Sequence, residues 1–268
     1  MKTYIRILQQ HRMIGWQIFK LAKTDLVKTY SGASLGWTWA VLRPTITILV
    51  YWFAFAIGLR QGGLKYGYPF VLWMIPGFIA WFFMSDMITQ GANSIRKYRF
   101  LVTKMKFPVA IIPSFVGLSK LFVHMALLVL TLFIFYLNGY HLDIFYLQLP
   151  IYMFFMFITF VSVAQSTSVL SSISLDFFNL VNATLMAVFW LSGVIWDAST
   201  INIRWVRVLM YFNPVNFIAK GYRNVFIHKI WIWEEPVQMI CFLITLLLIN
   251  IIAVNVVSAY EKELPDYL

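Results

Sequence analysis

Long apolar stretches are the feature that most restricts how this sequence can fold. A helix needs roughly 20 predominantly apolar residues to cross the hydrocarbon core of a bilayer. Six segments of this chain reach or approach that length with few charged residues. We therefore predict an all-α integral membrane protein with about six transmembrane helices, over residues 37–59, 69–90, 111–137, 149–171, 178–195 and 237–258.

The composition agrees with a membrane protein and excludes several other classes. The chain is 61% hydrophobic and 12% charged, whereas a soluble domain is near half apolar and a quarter charged. The net charge of +11 does not require a nucleic-acid partner, because basic residues on cytoplasmic loops orient membrane proteins. Cys241 is the single cysteine, so the chain forms no intramolecular disulfide and no cysteine metal cluster.

The first 35 residues are predicted to lie on the membrane surface. Residues 4–22 mix apolar and basic side chains at near-helical spacing, a pattern typical of an amphipathic interfacial helix. A cytoplasmic helix packed against other protein is the alternative. Residues 1–30 hold six Lys or Arg and lack the compact apolar core of a signal peptide, so we expect this segment to be retained.

The distribution of basic residues predicts the orientation. Six Lys or Arg precede the first span, and five lie between residues 91 and 107. The loop over residues 138–148 has none. Positive residues stay inside, which places both termini in the cytoplasm, although five basic residues in 196–235 oppose this mildly. The expected organisation is one transmembrane domain over 1–268, with spans between 37 and 258 and a cytoplasmic tail at 259–268.

Residues 196–235 do not fit a simple loop. They contain two amphipathic stretches, at about 200–211 and 215–228, each too short to cross a bilayer. Irregular backbone at membrane depth has to be sheltered by protein. We therefore predict a pair of re-entrant external helices between spans 5 and 6.

The chain lacks the motifs of an ATPase or a metal-dependent enzyme. It has no Gly-x-x-x-x-Gly-Lys-Ser/Thr loop and no His-Glu-x-x-His motif. We predict no catalytic residues, no metal site and no cofactor in this chain. Buried titratable groups within spans are few, the candidates being Asp86, Lys120 and His124. Lys120 and His124 share a helical face, and it lies either near the cytoplasmic surface or towards a cavity.

Several motifs together resemble those of ABC-type polysaccharide-export permeases. The segment DLVKTYSGASLGWTWAVLRP, residues 25–44, is similar to the N-terminal signature of that family. Later matches, in the same order as in the family, are Pro76-Gly77 with Trp81, then FLVTKMKFP at 100–108, Asn213-Pro214 and Tyr222-Arg223. Residues 51–55 and the short acidic tail look most like the branch that exports wall teichoic acid.

The resemblance implies a function and a set of partners. It implies a homodimeric permease in the bacterial plasma membrane that works with two copies of a separate P-loop ATPase subunit, which would bind ATP and magnesium. The expected cargo is a lipid-linked polymer on an undecaprenyl-diphosphate carrier, either wall teichoic acid or, alternatively, O-antigen or capsular polysaccharide. A membrane-embedded transferase is a competing class, but Asp25, Asp86 and Asp176 are isolated in the sequence, whereas such enzymes pair their carboxylates.

The segment 96–107 is the predicted site of ATPase coupling, because similar permeases place their coupling helix here. Aromatic residues and arginine are typical anchors of interfaces. A basic loop that only sets the topology is the alternative. The candidate coupling residues are Arg96, Lys97, Tyr98, Arg99, Phe100, Leu101, Lys104 and Phe107.

Two further groups are predicted to contact the cargo. Lys23, Lys28 and Arg43 lie where the interfacial helix meets the first span, and clustered cations there could hold a lipid diphosphate. Ordinary snorkelling to anionic lipid is the alternative. Aromatic faces stack on sugar rings, so a polymer conduit is predicted to use aromatic residues that could otherwise belong to interface belts or packing. These are Tyr51, Phe55, Trp73, Phe78 and Trp81.

Overall fold

The computed structural model describes residues 2–32, 34–58, 63–105 and 107–268. Leu59, at the predicted end of the first span, and Lys106, in the predicted coupling segment, lie outside the described residues. The strands, β1 (Leu64–Lys65) and β2 (Tyr68–Pro69), form a short antiparallel hairpin. The helices are α1 (Lys2–Met13), α2 (Gly15–Tyr30), α3 (Trp39–Trp52), α4 (Phe70–Asp86), α5 (Ser94–Lys97), α6 (Arg99–Thr103), α7 (Ile111–Leu137), α8 (Leu149–Ile173), α9 (Leu175–Leu191), α10 (Arg204–Phe212), α11 (Pro214–Arg223), α12 (Pro236–Tyr260) and α13 (Leu264–Tyr267).

Five helical segments in the described part of the chain are long and apolar enough to cross a membrane. Three of them extend an α-helix by a 3-10 or π-helical turn. They coincide with predicted spans 1, 2, 3, 4 and 6, and they confirm an all-α, multi-pass membrane protein. The segments are Gly36–Gly58, Phe70–Gly91, Ile111–Leu137, Ile144–Ile173 and Pro236–Tyr260.

Contacts between distant parts of the chain define two ends of the helical bundle. At the terminal end, which comprises α1, α2, α5, α6 and α13, Arg6 pairs with Glu261 at 2.5 Å. At the hairpin end, which comprises β1, β2 and residues 192–235, the Tyr66 hydroxyl donates to Asp197 at 2.7 Å. Both termini therefore lie at the same end, which requires an even number of crossings.

α9 lies at the fifth predicted span and is shorter than these five segments. It is an apolar helix of 17 residues, about 26 Å long at 1.5 Å per residue. Before it, the Ser172 carbonyl accepts a bond from Arg96 near the terminal end. After it, the Gly193 carbonyl accepts a bond from Arg223 at the hairpin end. α9 therefore runs from one end of the bundle to the other, with its ends at 175 and 191 rather than at the predicted 178 and 195.

The two short helices predicted between spans 5 and 6 are present as α10 and α11. α10 has no fully buried residue and packs against α12, whereas α11 is buried between α4 and α8. Gly221 permits this burial: a Cβ at that position would lie 2.1 Å from Cε1 of Tyr152 on α8. The α11 backbone can therefore approach α8 only because residue 221 has no side chain.

Arg223 fastens the end of α11 to the chain that follows α9. Its guanidinium is buried and donates to the carbonyl oxygens of Gly193, Val194 and Trp196. It also lies 4.0 Å from the centre of the Trp73 ring. Burial lowers the pKa of Arg223, and the nearby Asp197 carboxylate opposes that effect. Arg223 thus satisfies backbone carbonyl groups of the loop that follows α9.

Burial differs sharply between the long helices. In the segment Phe70–Gly91, which contains α4, 72% of the most apolar part is buried, against 6% in Gly36–Gly58, which contains α3. α4 is apolar around its whole circumference, as expected for a central helix. α3 lies at the edge of the bundle and exposes large apolar side chains such as Leu49, Val50 and Phe53. The core is therefore built around α4, and α3 flanks the cavity described next.

Candidate functional site

A cavity of about 440 Å³ opens between α2, α3, α4 and α7, near the terminal end of the bundle. Its walls are aromatic in part, because Trp39, Trp81, Phe82 and Phe83 line it. Polar and charged side chains share the same space. Those that matter for its chemistry are Tyr30, Arg43, Asp86, Gln90, Lys120 and His124.

An ion pair joins two walls of this cavity. Lys120 of α7 lies 3.5 Å from the Oδ2 of Asp86 on α4. The Lys120 side chain is only 3% exposed, whereas that of Asp86 is 36% exposed. The other oxygen of Asp86 accepts a bond of 2.9 Å from Gln90 Nε2. Lys120 was predicted to lie near the cytoplasmic surface or to face the cavity of a dimer; in the structure it lines a cavity within the single chain.

Asp86 is placed by an irregularity in its helix. It is the last residue of α4 before a π-helical turn, Met87–Gly91. Such turns are rare and often occur at functional sites. Two glycines hold the surrounding helices close: a Cβ on Gly91 would lie 2.7 Å from a side chain of α8, and one on Gly117 would lie 2.8 Å from another. Tight packing of α4 and α7 on α8 therefore keeps Asp86 opposite the cation on α7.

His124 connects the cavity to α11. Its Nδ1 lies 3.1 Å from the Ile79 carbonyl oxygen, and its Nε2 lies 2.7 Å from the Tyr222 hydroxyl. A carbonyl oxygen only accepts, so Nδ1 carries the proton in this contact. In the neutral ring Nε2 then accepts from Tyr222. Both ring nitrogens are used, which makes His124 a structural link between α7, α4 and α11.

The three predicted diphosphate ligands do not come together. Arg43 of α3 lines the cavity, whereas Lys23 and Lys28 are exposed on α2 and are not among the described residues that line it. Tyr30, at the end of α2, lies between the charges of the cavity. Burial raises the pKa of Tyr30, Asp86 raises it further, and Arg43 opposes that rise. The structure therefore groups Arg43 with Lys120 rather than with the lysines of α2.

The predicted coupling segment forms two short helices, α5 and α6, which meet at Tyr98. Phe100 is 45% exposed on α6, and Phe107 is half-buried. Tyr98 and Leu101 point inward and pack in the chain's own core. Their surfaces are therefore covered within the chain, and their part in ATPase coupling stays a prediction.

The charged residues of the same segment divide in a similar way. Arg99 and Lys104 are exposed. Arg96 is half-buried and donates to the Ser172 carbonyl oxygen at 3.4 Å, which attaches α5 to the end of α8. Lys97 points back towards α2. Apart from Lys97, the exposed residues in the described part of this segment are Arg99, Phe100, Thr103, Lys104 and Met105.

Asp25 is the functional candidate that sequence reasoning missed. It is fully buried on α2, and one oxygen accepts bonds from Lys97 Nζ at 2.6 Å and from the Tyr98 hydroxyl at 2.5 Å. Burial alone would raise the pKa of Asp25, but these two bonds and the Lys97 charge outweigh it and lower the pKa. Burial and the bond to Asp25 raise the pKa of Tyr98. The predicted coupling segment is thus bonded to the helix whose far end, Tyr30, lines the cavity.

The five aromatic residues predicted to line a conduit lie in different environments. Trp81 lines the cavity. Tyr51 and Phe55 are half-buried, with Tyr51 packing on Phe78 at a ring distance of 5.2 Å. Phe78 is buried in the core, as is Trp73, whose ring contacts Arg223 and Lys65. These five residues therefore do not form one continuous wall within the chain.

Similarity to known proteins places the chain in a family. Residues 17–227, well over half of the chain, match the ABC-2 type transporter family. The chain belongs to the ABC-2 type transporter family. The match runs from α2 into the turn that follows α11, so it includes the cavity, the coupling segment and the Asp25 contact.

A permease of known assignment is similar to this chain over most of its length. The chain is 29% identical, over 231 residues, to the O-antigen export system permease protein RfbA of Myxococcus xanthus. The aligned region covers 83% of each chain. The similarity therefore extends over nearly the full architecture of this ABC-2 type transporter rather than over a single motif.

Proposed function

We propose that this chain is the membrane-spanning subunit of an ATP-driven exporter that moves a lipid-linked surface polysaccharide across the bacterial plasma membrane. The observation that carries the proposal is the similarity to an O-antigen export permease over 83% of both chains, within the ABC-2 type transporter family. The helical bundle and its cation-containing cavity support it. Such a cavity suits the polar head of an amphiphilic cargo.

The proposed cargo carries a diphosphate between its lipid and its sugars. Arg43 lies at the cavity with Lys120, and guanidinium and ammonium groups are the usual partners of phosphate oxygens. Trp39 and Trp81 offer aromatic faces to the first sugars. Lys23 and Lys28, exposed on α2, would attract the diphosphate at the membrane surface instead of binding it in the cavity.

The proposed energy source is a separate ATPase present in two copies, each holding ATP and magnesium on its own P-loop. Arg99, Phe100 and Lys104 form the proposed docking surface. An exposed aromatic flanked by cations is typical of an interface centre. A homodimer of the chain is proposed as well, because α3 exposes a long apolar surface.

The proposed orientation places the terminal end in the cytoplasm, where the basic residues concentrate. Single cysteines in a Cys241→Ser background test it. Leu64→Cys and Leu142→Cys lie on exposed residues of the hairpin and of the loop after α7, and Thr103→Cys lies on the exposed side of α6. An impermeant thiol reagent should label the first two in intact cells and the third only after lysis. Labelling of all three from one side would contradict the topology.

The polymer is the remaining question. The sequence motifs favour wall teichoic acid, and the curated relative favours O-antigen; capsular polysaccharide has the same lipid-diphosphate chemistry. Deletion of the gene followed by chemical analysis of the cell surface distinguishes them. Loss of a glycan rich in phosphodiesters supports teichoic acid, and loss of a phosphate-free glycan supports the other two. An unchanged surface, with no lipid-linked precursor accumulating inside, would refute the proposed function.

A further inference from the structure

The Lys120 side chain is the buried cation among the described residues that line the cavity. Its side chain is 3% exposed, and its ammonium group can donate three hydrogen bonds. Within the described residues its ionic partner is Asp86, at 3.5 Å, whereas a charge-assisted bond normally spans about 2.7–2.9 Å. A buried cation with one long contact has donors left for another acceptor in the cavity that it lines.

Arg43, on α3, supplies the second cation among the described residues that line the cavity. Its side chain is exposed towards the cavity and forms no ion pair with any of the described residues. Asp86 is the one carboxylate among the described residues that line this space. Two cations thus face a single carboxylate, and that carboxylate satisfies one of them poorly.

Asp86 can leave Lys120 at little cost. Its side chain is 36% exposed, and its other oxygen already accepts a bond from Gln90. Release would leave the carboxylate solvated and bonded within its own helix. Lys120 has no comparable route to solvent, because it is buried. An anion entering the cavity would therefore replace Asp86 at Lys120 rather than expel Lys120.

We propose that Lys120 and Arg43 form a binding site for the phosphate groups of a lipid-linked diphosphate, with Asp86 as an internal counterion that the ligand displaces. The inference rests on the proposed function for the identity of the ligand. A diphosphate has enough acceptor oxygens to satisfy both cations at once. Displacement also breaks the ionic contact between α4 and α7, so ligand binding would loosen one wall of the cavity against the other.

The experiment measures equilibrium binding to the purified full-length chain in nanodiscs of neutral phospholipid. The probe is a short-chain polyprenyl diphosphate, and the matching polyprenol is the uncharged control. We expect Lys120→Gln to weaken diphosphate binding by about tenfold or more, since a hydrogen bond to a charged group is lost. Lys120→Arg should retain most of it. Asp86→Asn should strengthen binding several-fold, because the internal competitor is removed.

The double variant Asp86→Asn/Lys120→Gln gives the most discriminating result. If Asp86 acts by competing for Lys120, then Asp86→Asn should have no strengthening effect in the Lys120→Gln background. Lys262→Gln and Asp176→Asn change exposed charges outside the cavity and serve as matched controls. If Lys120→Gln does not fold, Lys120→Arg and Asp86→Asn still test the proposal. Unchanged binding in Lys120→Gln, or weaker binding in Asp86→Asn, would overturn it.

Two competitors identify the source of the phosphate. Competition by the polyprenyl diphosphate but not by inorganic diphosphate or by phosphatidylglycerol in the nanodisc supports a lipid-linked ligand. Competition by either of the others at equal concentration would overturn the assignment to that ligand. The binding assay needs no ATPase and no export. Its outcome is therefore independent of whether the chain proves to be an exporter.

Discussion

Asp25 lies buried between α2 and the coupling segment, and replacing it with asparagine removes its charge without changing its shape. Wild-type Asp25 accepts bonds from Lys97 at 2.6 Å and from Tyr98 at 2.5 Å. Asparagine can still accept from these donors, but neutral hydrogen bonds contribute roughly 0.5–1.5 kcal/mol against about 1.5–3 for charged ones. The variant also avoids the desolvation cost of burying a carboxylate, which offsets part of the loss. We expect Asp25→Asn to lower the free energy of unfolding by about 1–2 kcal/mol.

Replacing Lys97 should destabilise the fold more than replacing Asp25. The Lys97 side chain is 39% exposed, whereas Asp25 is fully buried. After Asp25→Asn, Lys97 can turn to water. After Lys97→Met, a buried carboxylate keeps only the Tyr98 bond, and stranding a buried charge costs roughly 3–5 kcal/mol. The double variant Asp25→Asn/Lys97→Met removes both charges and should therefore be more stable than Lys97→Met alone.

Reversible unfolding by SDS in mixed micelles measures these differences on the purified chain. The predicted order of stability is wild type, then Asp25→Asn and the double variant, then Lys97→Met. Arg99→Met, which changes an exposed cation on the same segment, is the control and should have little effect. If Lys97→Met is milder than Asp25→Asn, or if the double variant is the least stable, Asp25 is not an ionised carboxylate held by Lys97.

The same contact predicts a pH dependence. The folded protein lowers the pKa of Asp25 below its ordinary value of 3.8. The carboxylate therefore contributes stability that is present above pH 3.8 and is lost as the pH falls through its lower value in the folded state. The stability difference between wild type and Asp25→Asn should be constant near neutrality and close only below pH 3.8. A difference that closes above pH 5 would show that the carboxyl group is protonated in the fold.

Two further substitutions test the docking surface and the packing of α11. Phe100→Ala should leave expression intact but weaken co-purification of the ATPase by about 30-fold or more, since truncating an interface aromatic costs roughly 2 kcal/mol. Arg99→Ala should weaken it less. Recovery of the ATPase at the wild-type level with Phe100→Ala would exclude this surface. Gly221→Ala should lower the thermal stability of the purified chain strongly, because its Cβ would lie 2.1 Å from Tyr152. The control Gly63→Ala places its Cβ in open space and should not lower it. Equal melting temperatures for the two variants would refute the close packing of α11 on α8.

Much of the fold could be predicted from hydropathy because a bilayer imposes a minimum length on each crossing. Five of the six spans coincide with long helices of the structure. The sixth, α9, proved shorter, because it ends at Leu191 and Arg223 satisfies the carbonyl groups beyond it. The bond from Arg223 to the Gly193 carbonyl joins residues about 30 positions apart, and no local pattern in the sequence predicts it. The short helices α10 and α11 could be predicted from their amphipathic spacing.

The site was less accessible to sequence reasoning. Arg43 was a candidate because it adjoins the first span, and Lys120 because a charge within a span is conspicuous. Their meeting at one cavity depends on how α3 and α7 each pack against α4, which a pattern within each helix cannot show. Asp25 was considered only as an isolated carboxylate, since its partners lie 72 and 73 residues away. An acidic residue among the lysines of an amphipathic helix was the one signal that could have indicated a buried partner.

ATP-driven transport in a defined system tests the central claim most directly. The purified chain and its ATPase are reconstituted in proteoliposomes with a radiolabelled polymer linked to a polyprenyl diphosphate, and the polymer that becomes protected from an added glycosidase or phosphodiesterase is measured. We predict protection that requires ATP, the ATPase and this chain together, with the chain alone hydrolysing no ATP. Polymer movement without ATP, or none with a catalytically active complex and a matched polymer, would contradict the account.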